Sequence, residues 1–133
     1  RTADATHLDA IIICDPHLDI FNPNVIRAAC GTFFSRPIYL ANFSSTLDFL
    51  NQHNCQIVGT TPHTKKLYYQ TNFSQPTALV MGTEHDGLTP NWLKHCHQKI
   101  KIPMLGQADS LNLSVSTAII LYEALKQKQS KPQ

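Results

Sequence analysis

Short apolar runs alternate with segments of helical spacing along most of this chain. Ala10-Ile-Ile-Ile-Cys14 is wholly apolar and lies between Asp9 and Asp15-Pro16, which predicts a strand covered on both faces. Further strands are predicted at Ile38–Leu40 after Pro37, at Gln56–Thr60, at Thr77–Met81 and at Lys99–Ile102. Asn22 with Pro23 at the first helical position predicts a helix running to Cys30 and stopping at Gly31. Ser44 or Ser45 caps a second helix through His53, with Leu47 and Leu50 on one face and Asn54 at its end, and Pro90–His95 forms a short third. Lys65–Ser74 has no clear period and reads as an excursion. The last helix, about Asn112 to Lys128, is apolar nearly all round between Ala118 and Leu125. That pattern expects cover from more than one side, and for a terminal helix the simplest second cover is another subunit. The Lys/Gln-rich end, Lys126 to Gln133, reads as a frayed tail. Strands alternating with helices predict the α/β class: a mostly parallel sheet with helices on both faces.

The glycines and small polar groups fall where strands end. Thr77-Ala-Leu-Val-Met81 stops at Gly82 in a turn that presents Glu84 and closes on Gly87; Ile102-Pro-Met-Leu-Gly106 leads to a polar cluster, Ser110, Asn112 and Ser114. Gly59-Thr-Thr-Pro62 leaves two hydroxyls at the same carboxyl edge. Open α/β sheets bind ligands there, so a cofactor site is expected. A plainer explanation exists for each run. Glycine and Asp are ordinary in a strand-to-helix turn, and Ser110 or Asn112 could serve only to cap the last helix, at a gain of about 1 kcal/mol. Glu84 between two glycines, and three polar side chains where one cap suffices, favour function. Neither GxGxxG nor GxxxxGK[ST] is present, so neither a Rossmann dinucleotide nor a P-loop site is supported.

Composition narrows the class further. With 133 residues and 42% apolar content, the chain is one domain's worth and can bury a core. The net charge of +2 announces no basic tail or stripe for nucleic acid. Cys14, Cys30, Cys55 and Cys96 are scattered without a CxxC pair, which predicts free thiols in a reducing compartment and a cytoplasmic protein. No apolar run reaches the roughly 18 residues of a membrane span. His95-Cys-His97 looks metal-like, but neighbours on a helix point about 100° apart and no second ligand pair follows at zinc spacing, so no metal is expected. Cys30 reads as a small core residue, and Arg27 as a solvated charge that could instead meet a phosphate. The opening Arg1-Thr-Ala-Asp-Ala5 resembles the tail of a helix, as in a chain that begins in mid-pattern.

Taken as an ordered set, these runs resemble the SpoU/TrmH-type RNA 2′-O-methyltransferases of the SPOUT superfamily. The matching segments are Arg1-Thr-Ala3, the end of motif 1; Asn24-Val-Ile-Arg-Ala-Ala-Cys-Gly31; Gly82-Thr-Glu-His-Asp-Gly-Leu88, motif 2; and Ile102-Pro-Met104 with Ser110-Leu-Asn-Leu-Ser-Val115, motif 3. The resemblance implies a domain over residues 1–128 with a C-terminal trefoil knot, followed by a tail at 129–133. It implies S-adenosylmethionine held by main-chain groups, a methyl passed to a ribose 2′-hydroxyl of tRNA or rRNA, and a homodimer through the last helix. Gly82, Ile102 and Leu111 match the cofactor-contacting positions, with Thr60 and Gly87 as further candidates. Arg1, Glu84, Ser110 and Asn112 match those of catalysis or substrate placement.

A guanidinium, with a pKa above about 12, is a poor base, so Arg1 fits a phosphate anchor and stabiliser of the developing alkoxide, with Glu84 and Asn112 orienting the groups around it. Two departures stand out. The Asn and Gly with which the family's motif 1 begins are not in this chain, so the piece alone is expected to be weakly active or inactive. Motif 2 carries Thr83 where the family often has Asn. A knotted domain that binds RNA or cofactor without turnover is the alternative expectation, and an unknotted flavodoxin-like nucleotide binder a third.

Overall fold

The computed structural model describes residues 6, 8–14, 38–82, 87–108 and 111–129. Its contacts fall into two units, residues 1–49 and 50–133. The helix expected over Asn22–Cys30, together with Arg1, Arg27, Cys30, Thr83, Glu84 and Ser110, lies outside the described residues.

In the first unit, β1 (Ile11–Ile13) pairs in parallel with β2 (Ile38–Leu40), Ile11 opposite Ile38 and Ile13 opposite Leu40. The chain leaves β2 through Ala41, whose N–H donates to Ile13 O at 3.1 Å, and enters α1 (Phe43–Gln52) at Asn42. The cap is Asn42, not Ser44 or Ser45: its Oδ1 accepts from Ser45 N at 2.8 Å and from Ser45 Oγ at 2.9 Å. An Asn side chain satisfies the otherwise unpaired N–H groups of a first turn as well as Ser does, and this one begins the helix earlier. Thr46, buried in the first turn, bonds back to Asn42 O at 2.7 Å and lies 3.5 Å from Cys14 Sγ.

The second unit is built on a parallel three-stranded sheet in the order β4-β3-β5, with β3 (Gln56–Thr60) in the centre, β4 (Thr77–Val80) on one side and β5 (Gln98–Ile100) on the other. Among the described residues, therefore, the strands are parallel as expected but form two hydrogen-bonded sheets, not one. Between α1 and β3 the chain turns at Asn54, whose φ of 53° lies in the left-handed region that Asn tolerates better than most side chains.

Period-two alternation assigns the two faces of this sheet. Val58 and Ile100, both fully buried, form a core with Phe73 and with Ile120 of α3 (Leu113–Gln129), and Leu79, Met81, Ile102 and Ala124 pack around it. On the opposite face, a Cβ built on Gly59 would meet Cys96 Sγ at 2.5 Å and Leu88 Cδ1 at 2.7 Å. Only glycine permits β3 to approach this layer so closely. The layer includes α2 (Pro90–His95), capped by Thr89 with Pro90 at its first position and anchored by buried Trp92. Strand β5 begins and ends earlier than the expected Lys99–Ile102 because its pairing with β3 runs from Gln98 to Ile100.

Two segments are more ordered than their sequence suggests. The aperiodic stretch after β3 forms a 3₁₀ turn at Tyr68–Gln70 and runs along the outer edge of β5: Lys101 N donates to Lys66 O, and Tyr68 N to Lys101 O, each at 2.9 Å. Helix α3 continues through Gln129, so the Lys/Gln-rich end is helical at least to that residue. Gln127 there accepts from Phe73 N at 2.7 Å and donates to Thr71 O at 2.9 Å. No helix among the described residues is long and apolar enough to cross a membrane.

Candidate functional site

The carboxyl ends of β3, β4 and β5 lie side by side because the three strands are parallel and in register. At β3 the chain leaves through Thr60 and Thr61, at β4 through Met81 and Gly82, and at β5 through Lys101 and Ile102. Thr60 Oγ1 reaches Met81 Sδ at 3.7 Å, and Thr61 N donates to Ile100 O at 3.0 Å. The two threonine hydroxyls expected to stand open are half-buried and engaged, since Thr61 Oγ1 accepts from His63 N at 3.2 Å.

Gly82 and Gly87 make the tightest feature of this edge. A side chain on Gly82 would collide with the carbonyl group of Gly87 and with Leu88 N, so the main chain at Gly87 and Leu88 lies directly against Gly82. Gly87 turns back with φ of 69°, the left-handed region that glycine enters without cost, and a Cβ there would meet nothing within 4 Å. The two glycines therefore act differently: Gly82 makes room, and Gly87 supplies a torsion. Together they present main-chain groups, rather than side chains, at the end of β4.

Ile102 is half-buried and joins the core through its side chain, which fixes its main chain at the same edge. Leu111 is half-buried just before α3. Asn112 is the N-cap of that helix: its Oδ1 accepts from Ser114 N at 2.8 Å and from Val115 N at 3.4 Å. Of the two caps weighed from sequence, the structure uses Asn112. Among the described residues the carboxamide bonds only through its oxygen, on the cap, and the residue is exposed. Thus Thr60, Gly82, Gly87, Ile102, Leu111 and Asn112 are described; Arg1, Glu84 and Ser110 are not.

A hollow of about 330 Å³ lies at the other end of the sheet, lined by Asn51, Asn54, Cys55, Gln56, Gln75 and His97. Several of its polar groups are already engaged. Gln56 Nε2 donates to Asn72 O and Thr77 Oγ1, Gln75 Nε2 to Gln56 Oε1, and His97 Nδ1 accepts from Ile57 N at 2.8 Å. It holds none of the residues expected to be functional, and its satisfied amides argue for a structural role.

The His95-Cys-His97 run is likewise divided between separate tasks. His95 Nδ1 pairs with Asn91 O at 2.9 Å, His97 extends β3 through its ring, and Cys96 Sγ donates to Trp92 O at 3.1 Å. Burial pushes the Cys96 thiol up from its ordinary value, and nearby Lys99 offsets part of that rise. Among the described residues no group of three His, Cys, Asp or Glu side chains could hold a metal ion.

Sequence reading missed Asn42 as a cap and Gln127 as a link between α3 and the 71–73 segment. Gln127 binds main chain far away in sequence, which leaves no periodic signal, while Asn42 stands beside two serines that suit a cap equally well.

Comparison with known proteins places these features in context. The family model described as the SpoU rRNA Methylase family matches residues 1–122. A 23S rRNA (guanosine-2′-O-)-methyltransferase RlmB of Photorhabdus laumondii subsp. laumondii is 38% identical over 131 residues, covering 98% of this chain and 54% of its own. A solved RNA 2′-O ribose methyltransferase superposes with a TM-score of 0.89 at 44% identity, over 96% of this chain and 49% of that one. The SpoU methyltransferase AviRb from Streptomyces viridochromogenes, solved with its cofactor AdoMet, gives 0.91 at 31% identity, over 98% of this chain and 54% of its own. The chain spans about half the length of these relatives.

Proposed function

The chain belongs to the SpoU rRNA Methylase family, and on that footing we propose that it carries the S-adenosylmethionine-binding part of an enzyme that methylates a ribose 2′-hydroxyl of RNA. The RlmB relatives are named for guanosine in 23S rRNA, which favours ribosomal over transfer RNA as substrate and a cytoplasmic site of action. The observation that carries this reading is the close approach of Gly87 and Leu88 to Gly82 at the end of β4, next to the end of β3. Two glycines at the carboxyl edge of a parallel sheet leave main-chain groups uncovered by side chains, which suits a ligand gripped by main-chain groups.

In this reading Gly82, Ile102 and Leu111, with Thr60 and Gly87, hold the cofactor, and the trefoil knot of the superfamily encloses it. The bound cofactor supplies a methyl group already made electrophilic by its sulfonium, so the chain's task is placement. In-line positioning of the 2′-oxygen can supply several kcal/mol of the barrier. Asn112 turns its free NH2 group toward the ribose while its oxygen holds α3 in place. Arg1 anchors a phosphate and stabilises the developing alkoxide, and Glu84 and Asn112 orient the groups around it.

A homodimer completes the RNA site. Val115 and Tyr122 lie seven residues apart on one face of α3 and are 48% and 50% exposed, whereas Ile120, Ala124 and Gln127 on another face meet the chain's own core. Sedimentation tests this directly: the protein runs as a dimer and Tyr122→Glu as a monomer, and a monomeric wild type contradicts the proposal.

Calorimetric titration with S-adenosylmethionine tests the cofactor assignment. Binding is expected, weakened at least about tenfold in Gly82→Ala; a wild-type protein that gives no heat of binding overturns it.

A further inference from the structure

Tyr69 is an exposed ring of the second unit, in a turn whose main chain joins lysine-bearing segments. It lies in the 3₁₀ turn with 51% of its surface in solvent, and its ring meets Tyr68 edge to face, with centroids 5.1 Å apart and planes at 80°. Tyr68 is itself packed against the core of Val58, Phe73, Ile100 and Ile120. One tyrosine therefore braces the other, and a side chain with only two rotatable torsions offers its surface at little entropic cost.

Lysines surround this turn through a chain of main-chain contacts. Tyr68 N donates to Lys101 O, Lys101 N donates to Lys66 O, and Thr64 Oγ1 donates to Lys99 O at 3.3 Å. Lys65 and Lys99 are exposed, Lys101 is half-buried, and Lys66 Nζ is tied to Gln98 Oε1 at 2.6 Å. No carboxylate among the described residues pairs with Lys65, Lys99 or Lys101. Between residues 49 and 107 the sequence sets Lys65, Lys66, Lys94, Lys99 and Lys101 against only Glu84 and Asp86. The overall charge of +2 thus conceals a local excess of positive charge along one sheet edge.

We propose that this edge receives a single-stranded segment of the substrate RNA, with a nucleobase stacked on Tyr69 and the flanking phosphates met by Lys65, Lys99 and Lys101. The inference takes its partner from the reading of the chain as part of an RNA methyltransferase. A single strand fits better than a duplex. An exposed aromatic ring needs an unstacked base face, and A-form pairing hides those faces. The site lies next to the cofactor cradle, since Lys101 immediately precedes Ile102. A nucleotide held at Tyr69 would keep its neighbours beside the place of methyl transfer. Stacking reads no particular base, so Tyr69 contributes grip and register, not sequence choice.

The test uses the full-length protein, a fluorescent single-stranded RNA oligonucleotide and a duplex of the same sequence. Tyr69→Ala is expected to raise Kd for the single strand roughly 5- to 150-fold, the range measured for loss of one stacked base, while Tyr69→Trp binds like the wild type. Lys65→Ala is expected to lower the salt slope of log Kd by about 0.7, the value for one phosphate contact on a single strand. Affinity for S-adenosylmethionine stays unchanged in all three. A Tyr69→Ala protein that folds and binds the single strand as well as wild type overturns the inference, as does a wild type that prefers the duplex or a failure of Trp to substitute. Methyl transfer by the wild type with no effect of Tyr69→Ala sinks this inference alone. Tyr69-dependent RNA binding without methyl transfer sinks the enzymatic reading and leaves the docking edge standing.

Discussion

Gln127 and Phe73 are joined across 54 residues of sequence: the Phe73 N–H donates to Gln127 Oε1 at 2.7 Å, while Gln127 Nε2 donates to Thr71 O at 2.9 Å. One carboxamide thus serves a donor and an acceptor of the same irregular segment, and no other side-chain type of that length does both. Phe73 and Thr71 are both buried, at 2% exposure, so water cannot replace the bonds. Gln127→Ala is expected to cost about 2 kcal/mol, the penalty for leaving buried main-chain groups unpaired. Gln127→Glu, which keeps an acceptor and loses the donor, is expected to rescue only part of it. Urea unfolding at constant m-value measures both.

Gly82 and Gly87 make a second contrast. At Gly87 an added Cβ meets nothing, so Gly87→Ala costs only the left-handed torsion, about 1 kcal/mol, and Gly87→Asn costs less because Asn tolerates that region. At Gly82 an added Cβ strikes the main chain of Gly87 and Leu88, and that main chain must shift. Thermal unfolding of the three variants is expected to rank Gly82→Ala lowest. Equal losses at the two positions contradict the account.

Asn112 lends itself to a separation of roles. Its oxygen caps α3 and its NH2 group is assigned to the substrate. Asn112→Ala is expected to lose about 1 kcal/mol of stability together with methyl transfer. Asn112→Asp keeps a capping oxygen, and its charge suits a helix N-terminus, so stability returns. Methyl transfer in the Asp variant stays down by roughly 10² because the donor is gone. Recovery of activity in the Asp variant removes the NH2 group from the mechanism.

Cys96 supplies a dependence on pH. Burial raises its thiol pKa in the folded protein, with Lys99 opposing, so the folded state holds the proton more tightly than the unfolded chain. The stability this contributes is fully present below the ordinary thiol pKa and is lost as pH rises through the folded value. Two results follow: Cys96 alkylates more slowly at mildly alkaline pH in the folded protein than after unfolding, and Lys99→Ala slows it further. Mass-spectrometric timing of iodoacetamide labelling reads both.

Regular structure was largely legible in the sequence because short apolar runs and helix starts are bounded by proline, glycine or capping residues. Ile38–Leu40, Gln56–Thr60 and Pro90–His95 occur with the expected bounds, and α3 lies within one residue of them. The 64–70 segment was not legible, since its order comes from side-on pairing with Lys101 and from Tyr68 entering the core, neither of which imposes a period. The site was legible only in part. Gly82 and Gly87 declared a turn, and the geometry adds that one makes room while the other bends. That Asn112 uses its oxygen as a cap, so that any catalytic role falls to its NH2 group, emerged only from the hydrogen bonds.

The central claim is that the edge formed by Thr60, Gly82 and Ile102 places a methyl donor against a ribose 2′-oxygen. Its most direct test is to incubate the protein with methyl-labelled S-adenosylmethionine and ribosomal RNA and then hydrolyse the RNA with alkali. Alkaline cleavage requires a free 2′-hydroxyl, so the account predicts label in an alkali-resistant dinucleotide that disappears with Asn112→Ala. Label recovered in mononucleotides, as from a methylated base, or no label in RNA from a protein that binds the donor, would contradict it.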